Sequence, residues 1–198
     1  MASQVDIANR ALTKLGEARI VSFTDNTNIA RTVNSMWDVV RDAELRSHVW
    51  RFALARASLP ALVDAPTFGY NYQYQLPSDC LRLVEVAEFR VNNLADYINR
   101  DDSIYTVEGN KILTDLGAPL NIRYIQQTLD TAQFTIDFVE VLACRLAAEM
   151  AEVLTNSMEM RKMAWQEYNQ AVSLAVKTNS LELPSKSAFD DSWMIGRL

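Results

Sequence analysis

The chain has 198 residues, 49% of them hydrophobic and 9% aromatic, with only five glycines and five prolines. That composition suits one compact domain, or a helical body with one sizeable insertion, and excludes a linker-rich disordered chain and a pair of independent enzymatic domains. A formal net charge of −6 gives an average field that repels phosphate backbones, so sequence-independent DNA binding is disfavoured.

Ser3 and Asp6 open a first helix over about residues 3–15: a side-chain oxygen satisfies a free amide, and a carboxylate suits the positive helix end. Val5, Ala8, Leu12 and Leu15 fall on one face, and Gly16 supplies the stop. The segment Ile20-Val21-Ser22-Phe23 then runs into a polar turn, with Thr27 or Asn28 as the cap of a longer helix reaching about His48. Ile29, Val33, Met36, Trp37, Val40 and Ala43 recur at three- and four-residue steps, while Arg31, Asp38, Arg41 and Asp42 take other faces.

At Trp50 the period changes. Phe52, Leu54 and Arg56 alternate with small residues until Pro60 breaks the run. YNYQYQLP reads as a strand with tyrosines on one side, and LRLVEVAEFRV as a second strand. SIYTVEGNKILTD carries Gly109-Asn110 between two β-prone runs, the pair that supplies the positive backbone angles of a tight hairpin. PLNIRYIQQ is the last strand candidate.

Helix returns after residue 134. Thr135 or Asp137 caps a run in which Phe138, Leu142, Leu146, Met150 and Val153 form a stripe, and Asn156-Ser157 breaks it. A further helix places Met160, Met163, Ala164, Tyr168, Ala171, Leu174 and Ala175 on one side and frays near Asn179. The expected fold class is α+β, mainly α: a helical bundle made from residues 1–49 and 132–180, a β-rich insertion at 50–131, and an extended C-terminal arm at 181–198. In that arm Phe189, Trp193, Met194 and Ile195 cluster without periodicity, which points to partner docking rather than core.

The order of these segments, with ANRALTKLGEARIVSF, VVRDAELRSHVWRFALARASL, YQLPSDCLRLVEV and the closing FDDSWMIGRL, resembles the tail tubular protein A family of head-to-tail adaptors in short-tailed bacteriophages. The resemblance spans nearly the whole chain in layout, and none of its segments is a catalytic signature. It implies a structural virion protein that forms a ring of twelve copies below the portal protein, receives the tail nozzle protein and lines the DNA exit path. No sequence-specific nucleic-acid binding and no membrane partner is implied. Rings arise from heterologous interfaces whose rotation closes, and a projecting arm is one way to build such an interface.

Candidate chemistry is sparse. His48 is the one histidine, and Cys80 and Cys144 lie far apart without a CxxC partner, so neither a metal site, a cofactor nor a disulfide framework is expected. GxSxG, Walker-type, GxGxxG and HExxH motifs do not occur. The pairs Asp101-Asp102 and Asp190-Asp191 are the sole support for an alternative, a tail-associated polysaccharide-degrading hydrolase, since glycoside cleavage needs two carboxylates across a sugar. Glu149 and Glu152 near Arg145 read as ion pairing within a helix. Trp37 and Trp50 read as core anchors, Trp165 as core or interface, and Met158, Met160 and Met163 as a core stripe ahead of an adaptable binding face. With no apolar run near the ~18–20 residues of a membrane span and an amphipathic start in place of a secretion signal, the expected location is the virion tail, assembled in host cytoplasm.

Overall fold

The computed structural model describes residues 2–87, 89–90 and 104–181. Helix α1 spans Gln4–Leu15. Ser3 and Asp6 cap it reciprocally: the Asp6 N–H donates to Ser3 Oγ at 3.1 Å, and the Ser3 N–H to Asp6 Oδ2 at 2.9 Å. Gly16, at φ 74°, ends the helix in the left-handed region that costs glycine nothing. Helix α2 spans Asn28–Ser47 and takes Thr27 as its cap, with His48 at its far end.

A 3-10 turn at Arg51–Ala53 leads into β1 (Leu54–Leu59). Then come β2 (Tyr72–Gln75), β3 (Cys80–Val86), β4 (Phe89–Arg90), β5 (Tyr105–Glu108), β6 (Lys111–Thr114) and β7 (Leu120–Gln126). They form two antiparallel sheets, a four-stranded one in the order β1-β7-β3-β4 and a three-stranded one in the order β2-β6-β5. The two-residue loop Gly109-Asn110 joins β5 to β6, and Gly109 sits at φ 60°, as a tight hairpin requires.

Helix α3 (Ile136–Thr155), capped by Thr135, ends at Asn156 with φ 51°, and helix α4 (Met158–Leu181) follows after a single further residue. Apolar residues surround α3, which packs against α1, α2 and α4. Its buried Ala143, Ala147, Ala148 and Ala151 let neighbouring backbones approach closely. One apolar core joins the four helices, and Trp50, Ala53 and Ile125 carry it onto the β region. A second core lies between the sheets, built from Leu59, Tyr74, Val86, Ile112, Leu120, Ile122 and Tyr124. β7 serves both: Ile122 and Tyr124 face the small sheet, while Ile125, on the opposite side of the pleat, faces the helices. The chain is mixed α and β.

Several faces differ from the periodic reading. Arg41 and Glu44 are buried in α2, whereas Ala43 is exposed. Arg41 tolerates burial because Asp38 (2.7 Å) and Asp42 (2.9 Å) neutralise it. Val153, Met163 and Leu174 are exposed, so the inner face of α4 is narrower than expected and centres on Ala164, Tyr168 and Ala175. In β2, Gln73 is buried and Tyr72 exposed, because a loop covers the outer face of that sheet. Asn179 does not mark a frayed end: α4 continues to Leu181, and the Asn179 side chain donates to the Val49 carbonyl (2.8 Å) and accepts from the Arg51 N–H (3.3 Å). Among the described residues, no helix is long and apolar enough to cross a membrane.

Candidate functional site

The proposed docking residues Phe189, Trp193, Met194 and Ile195 lie outside the described residues, as do Asp101-Asp102 and Asp190-Asp191. The remaining candidates fall into places with identifiable structural work. His48 closes α2, its ring 5.7 Å from that of Trp50 in an edge-on contact. Trp50 packs edge-on against Phe138 with ring centres 5.0 Å apart, and its indole N–H donates to the Glu44 carbonyl at 3.0 Å. Trp37 is buried, and Trp165 is partly buried against the helical core.

A polar cluster joins α2, α3 and α4. Glu44, only 1% exposed, accepts the Tyr168 hydroxyl at 2.8 Å and the Ser47 hydroxyl at 3.2 Å. Tyr168 in turn accepts from Arg145 at 3.4 Å, and Arg145 pairs with Glu149 at 2.9 Å. The Arg145 guanidinium also lies 4.8 Å from the centre of the Trp165 ring. Burial, reinforced by the Glu44 carboxylate, pushes the Tyr168 phenol up to about 12. Glu149 therefore has a structural partner, and so has Glu152, which pairs with Arg161. Each acid is matched by a donor, which is the pattern of a helix clamp.

A second cluster sits between α1, α3 and α4. Ligand-type atoms of Glu140, Cys144 and Glu167 lie within 4.8 Å of one another, a spacing that suits a metal ion. The charge there is already balanced by Lys14, whose ammonium is 2.9 Å from Glu140 and also pairs with Glu167, while Arg10 pairs with Glu140. Burial opposes the Lys14 charge, but the bonds to Glu167 and Glu140 win and raise its pKa above the ordinary lysine range. Burial pushes the Cys144 thiol up to about 11, so at neutral pH it keeps its proton. This cluster ties three helices together.

On the β side, residues 60–71 form a loop bonded to the sheet near both its ends, with Val63 and Phe68 exposed. Ala61 bridges to Tyr74. The Leu62 N–H donates to the Gln73 carbonyl at 2.9 Å, and Gln73 Nε2 donates to the Asp64 carbonyl at 2.6 Å. The Tyr70 and Thr106 hydroxyls share a hydrogen bond of 2.9 Å, and Asp115 accepts from both the backbone and the side chain of Asn71. From this frame Val63 (103% exposed) and Phe68 (86%) project into solvent. The loop is thus bonded to the sheet near both ends and presents two apolar groups at the surface. Pro60 marked this stretch in the sequence only as a break, and the long-range bonds that hold it carry no local signal.

No protein-family model matches the chain, and no curated protein matches it.

Proposed function

We propose that the chain is a structural subunit of a short-tailed phage particle, a head-to-tail adaptor that rings the underside of the portal protein, receives the nozzle and lines the DNA exit path. In this reading the helices of both chain ends are one bundle, the β region is an insertion between its second and third helices, and residues 181–198 are a docking arm. The observation that carries the assembly role is the 60–71 loop, anchored through its backbone and outwardly apolar at Val63 and Phe68. Burying each of these side chains contributes on the order of 1.5–3 kcal/mol, which suits a many-copy assembly whose individual contacts are modest. The segments resembling tail tubular protein A narrow that role to the adaptor.

The test mixes the purified subunit with purified short-tailed-phage portal rings and follows sedimentation and electron microscopy of the mixture. A ring of subunits on one face of the portal is expected, and Val63→Ser with Phe68→Ser should weaken it while leaving the helical circular-dichroism signal unchanged. A subunit that cosediments with no portal, or a double variant that assembles with undiminished affinity, overturns respectively the adaptor role and the role of the loop.

A further inference from the structure

We propose that the outer face of α2 and the 60–71 loop are the two halves of one contact between copies of this chain, the acid-flanked apolar loop of one copy seating on a cation-flanked apolar stripe of the next. On α2, Val39, Ala43 and Arg46 follow one another at steps of four and three residues, which puts them on one stripe of the helix, and all three are exposed, Val39 by 71%. At the end of that stripe two guanidinium groups cross between helix and sheet: Arg46 donates to the Leu81 carbonyl on β3, and Arg82 on β3 donates to the Ser47 carbonyl at 3.2 Å. Neither has a carboxylate partner among the described residues, and most of their N–H donors remain unspent. Burial and the Arg46 charge both hold the Arg82 guanidinium below the ordinary arginine range. The carboxylates nearby are taken: Asp38 and Asp42 by the buried Arg41, and Asp79 by Tyr124 and Gln126.

The loop carries the opposite sign. Asp64 follows Val63, and Asp64, Phe68 and Glu108 line one open cavity. Both acids are exposed and neither has an ion-pair partner among the described residues, while Lys111, the cation lining that cavity, is turned to Gln73 Oε1 at 3.3 Å. The occupant follows from complementarity. Each surface joins exposed apolar side chains to unpaired charge, and the two signs are opposite, so carboxylates of the loop meet the guanidinium groups in charge-assisted hydrogen bonds while Val63 and Phe68 cover Val39 and Ala43. A net charge of −6 makes copies repel one another on average, and attraction between them therefore has to be local. A nucleic-acid backbone would satisfy the two arginines but leave the apolar stripe uncovered and the acidic loop opposed. Because the loop is bonded to the small sheet and the stripe lies on a bundle helix, the contact joins different patches of two copies. Such a heterologous contact, repeated, closes a ring or runs on as a filament. This inference rests on reading the 60–71 loop as an assembly surface.

Sedimentation velocity of the isolated full-length chain at low salt tests it, with no portal present. The parent should associate as its concentration rises from about 1 μM to about 1 mM, the affinity range of a small contact, and added salt should weaken the association. Two variants change exposed positions only: Asp64→Lys with Glu108→Gln on the loop, and Val39→Glu with Arg46→Glu on the stripe. Each alone should associate on the order of 100-fold more weakly, the scale set by opposed like charges. Their equimolar mixture should regain association, because the native loop of the second variant meets the native stripe of the first. Val63→Ser with Phe68→Ser should weaken it without any change of charge, and decides alone if circular dichroism shows a charge variant unfolded. A parent that stays monomeric, variants that associate as the parent does, or folded charge variants whose mixture stays monomeric each overturn the proposal. A chain that rings the portal but fails this complementation loses this contact alone; one that complements but ignores the portal loses the adaptor reading alone.

Discussion

The Glu44–Tyr168 bond gives the sharpest test of what holds the helices together. Tyr168→Phe deletes one hydroxyl and keeps the ring against Trp165, where the two rings meet edge-on at 5.4 Å. Glu44, 1% exposed, then retains only the 3.2 Å bond from Ser47 among its side-chain donors. A hydrogen bond to a charged group contributes ~1.5–3 kcal/mol, and a buried carboxylate cannot recover the loss from bulk water. For a chain of this size a loss of about 2 kcal/mol lowers Tm by roughly 4–8 °C. Urea unfolding of the parent, Tyr168→Phe, Glu44→Gln and the double variant would close a double-mutant cycle, with an expected coupling of ~0.5–3 kcal/mol, the range for residues in one hydrogen-bonded network. If Tyr168→Phe costs less than about 0.5 kcal/mol, the scale of an ordinary surface substitution, then Glu44 is satisfied in some other way and the clamp is misassigned.

Alkali should unfold the protein through the same site. Tyr168 has its folded pKa raised to about 12 from an ordinary value of 10, so its contribution is complete below pH ~10 and lost as the pH rises toward ~12; Tyr168→Phe should flatten that part of a stability–pH curve. Phe138→Ala should cost ~3–5 kcal/mol, because its fully buried ring contacts Trp50, Phe52 and Phe134 at 4.9–5.0 Å where helices meet the β region; denaturant midpoints measure it, and a loss under ~1 kcal/mol would show that the site collapses around the gap. Cys144, with its thiol pushed up to about 11, should resist iodoacetamide at pH 8 in the folded protein and react once unfolded, as mass spectrometry of the labelled peptides would reveal; rapid labelling of the native protein would contradict its burial.

Local signals in the sequence were sufficient where the physics is local. Ser3, Gly16, Thr27, Thr135 and Asn156 satisfy or terminate helix ends through neighbours a few residues away, and Gly109-Asn110 sets its hairpin unaided. Periodicity misplaces Arg41, Ala43, Val153 and Leu174, because a helix pattern marks an apolar stripe but says nothing of a buried charge, such as that of Glu44, balanced by a partner far along the chain. Tyr168 lies 124 residues from Glu44, and nothing in either neighbourhood announces the pairing. The division of the strands into two sheets was equally hidden, since it depends on β7 pairing with β1 and β3 while β6 pairs with β2 and β5. The loop at 60–71 carries no local signature for the same reason: its anchors are on β2, β5 and the turn after β6.

The central position of α3 has a consequence during synthesis. α1 and α2 bury their apolar faces chiefly against this one helix, yet about ninety residues of chain separate Ser47 from Ile136. At ~5–20 residues per second a ribosome needs on the order of 5–20 s to make that stretch. Throughout that interval Ile7, Leu12, Val33 and Trp37 have no α3 to cover them, so the nascent N-terminal quarter is a natural client for a chaperone that binds exposed apolar helices, and slowing translation between α2 and α3 should lower the yield of soluble protein.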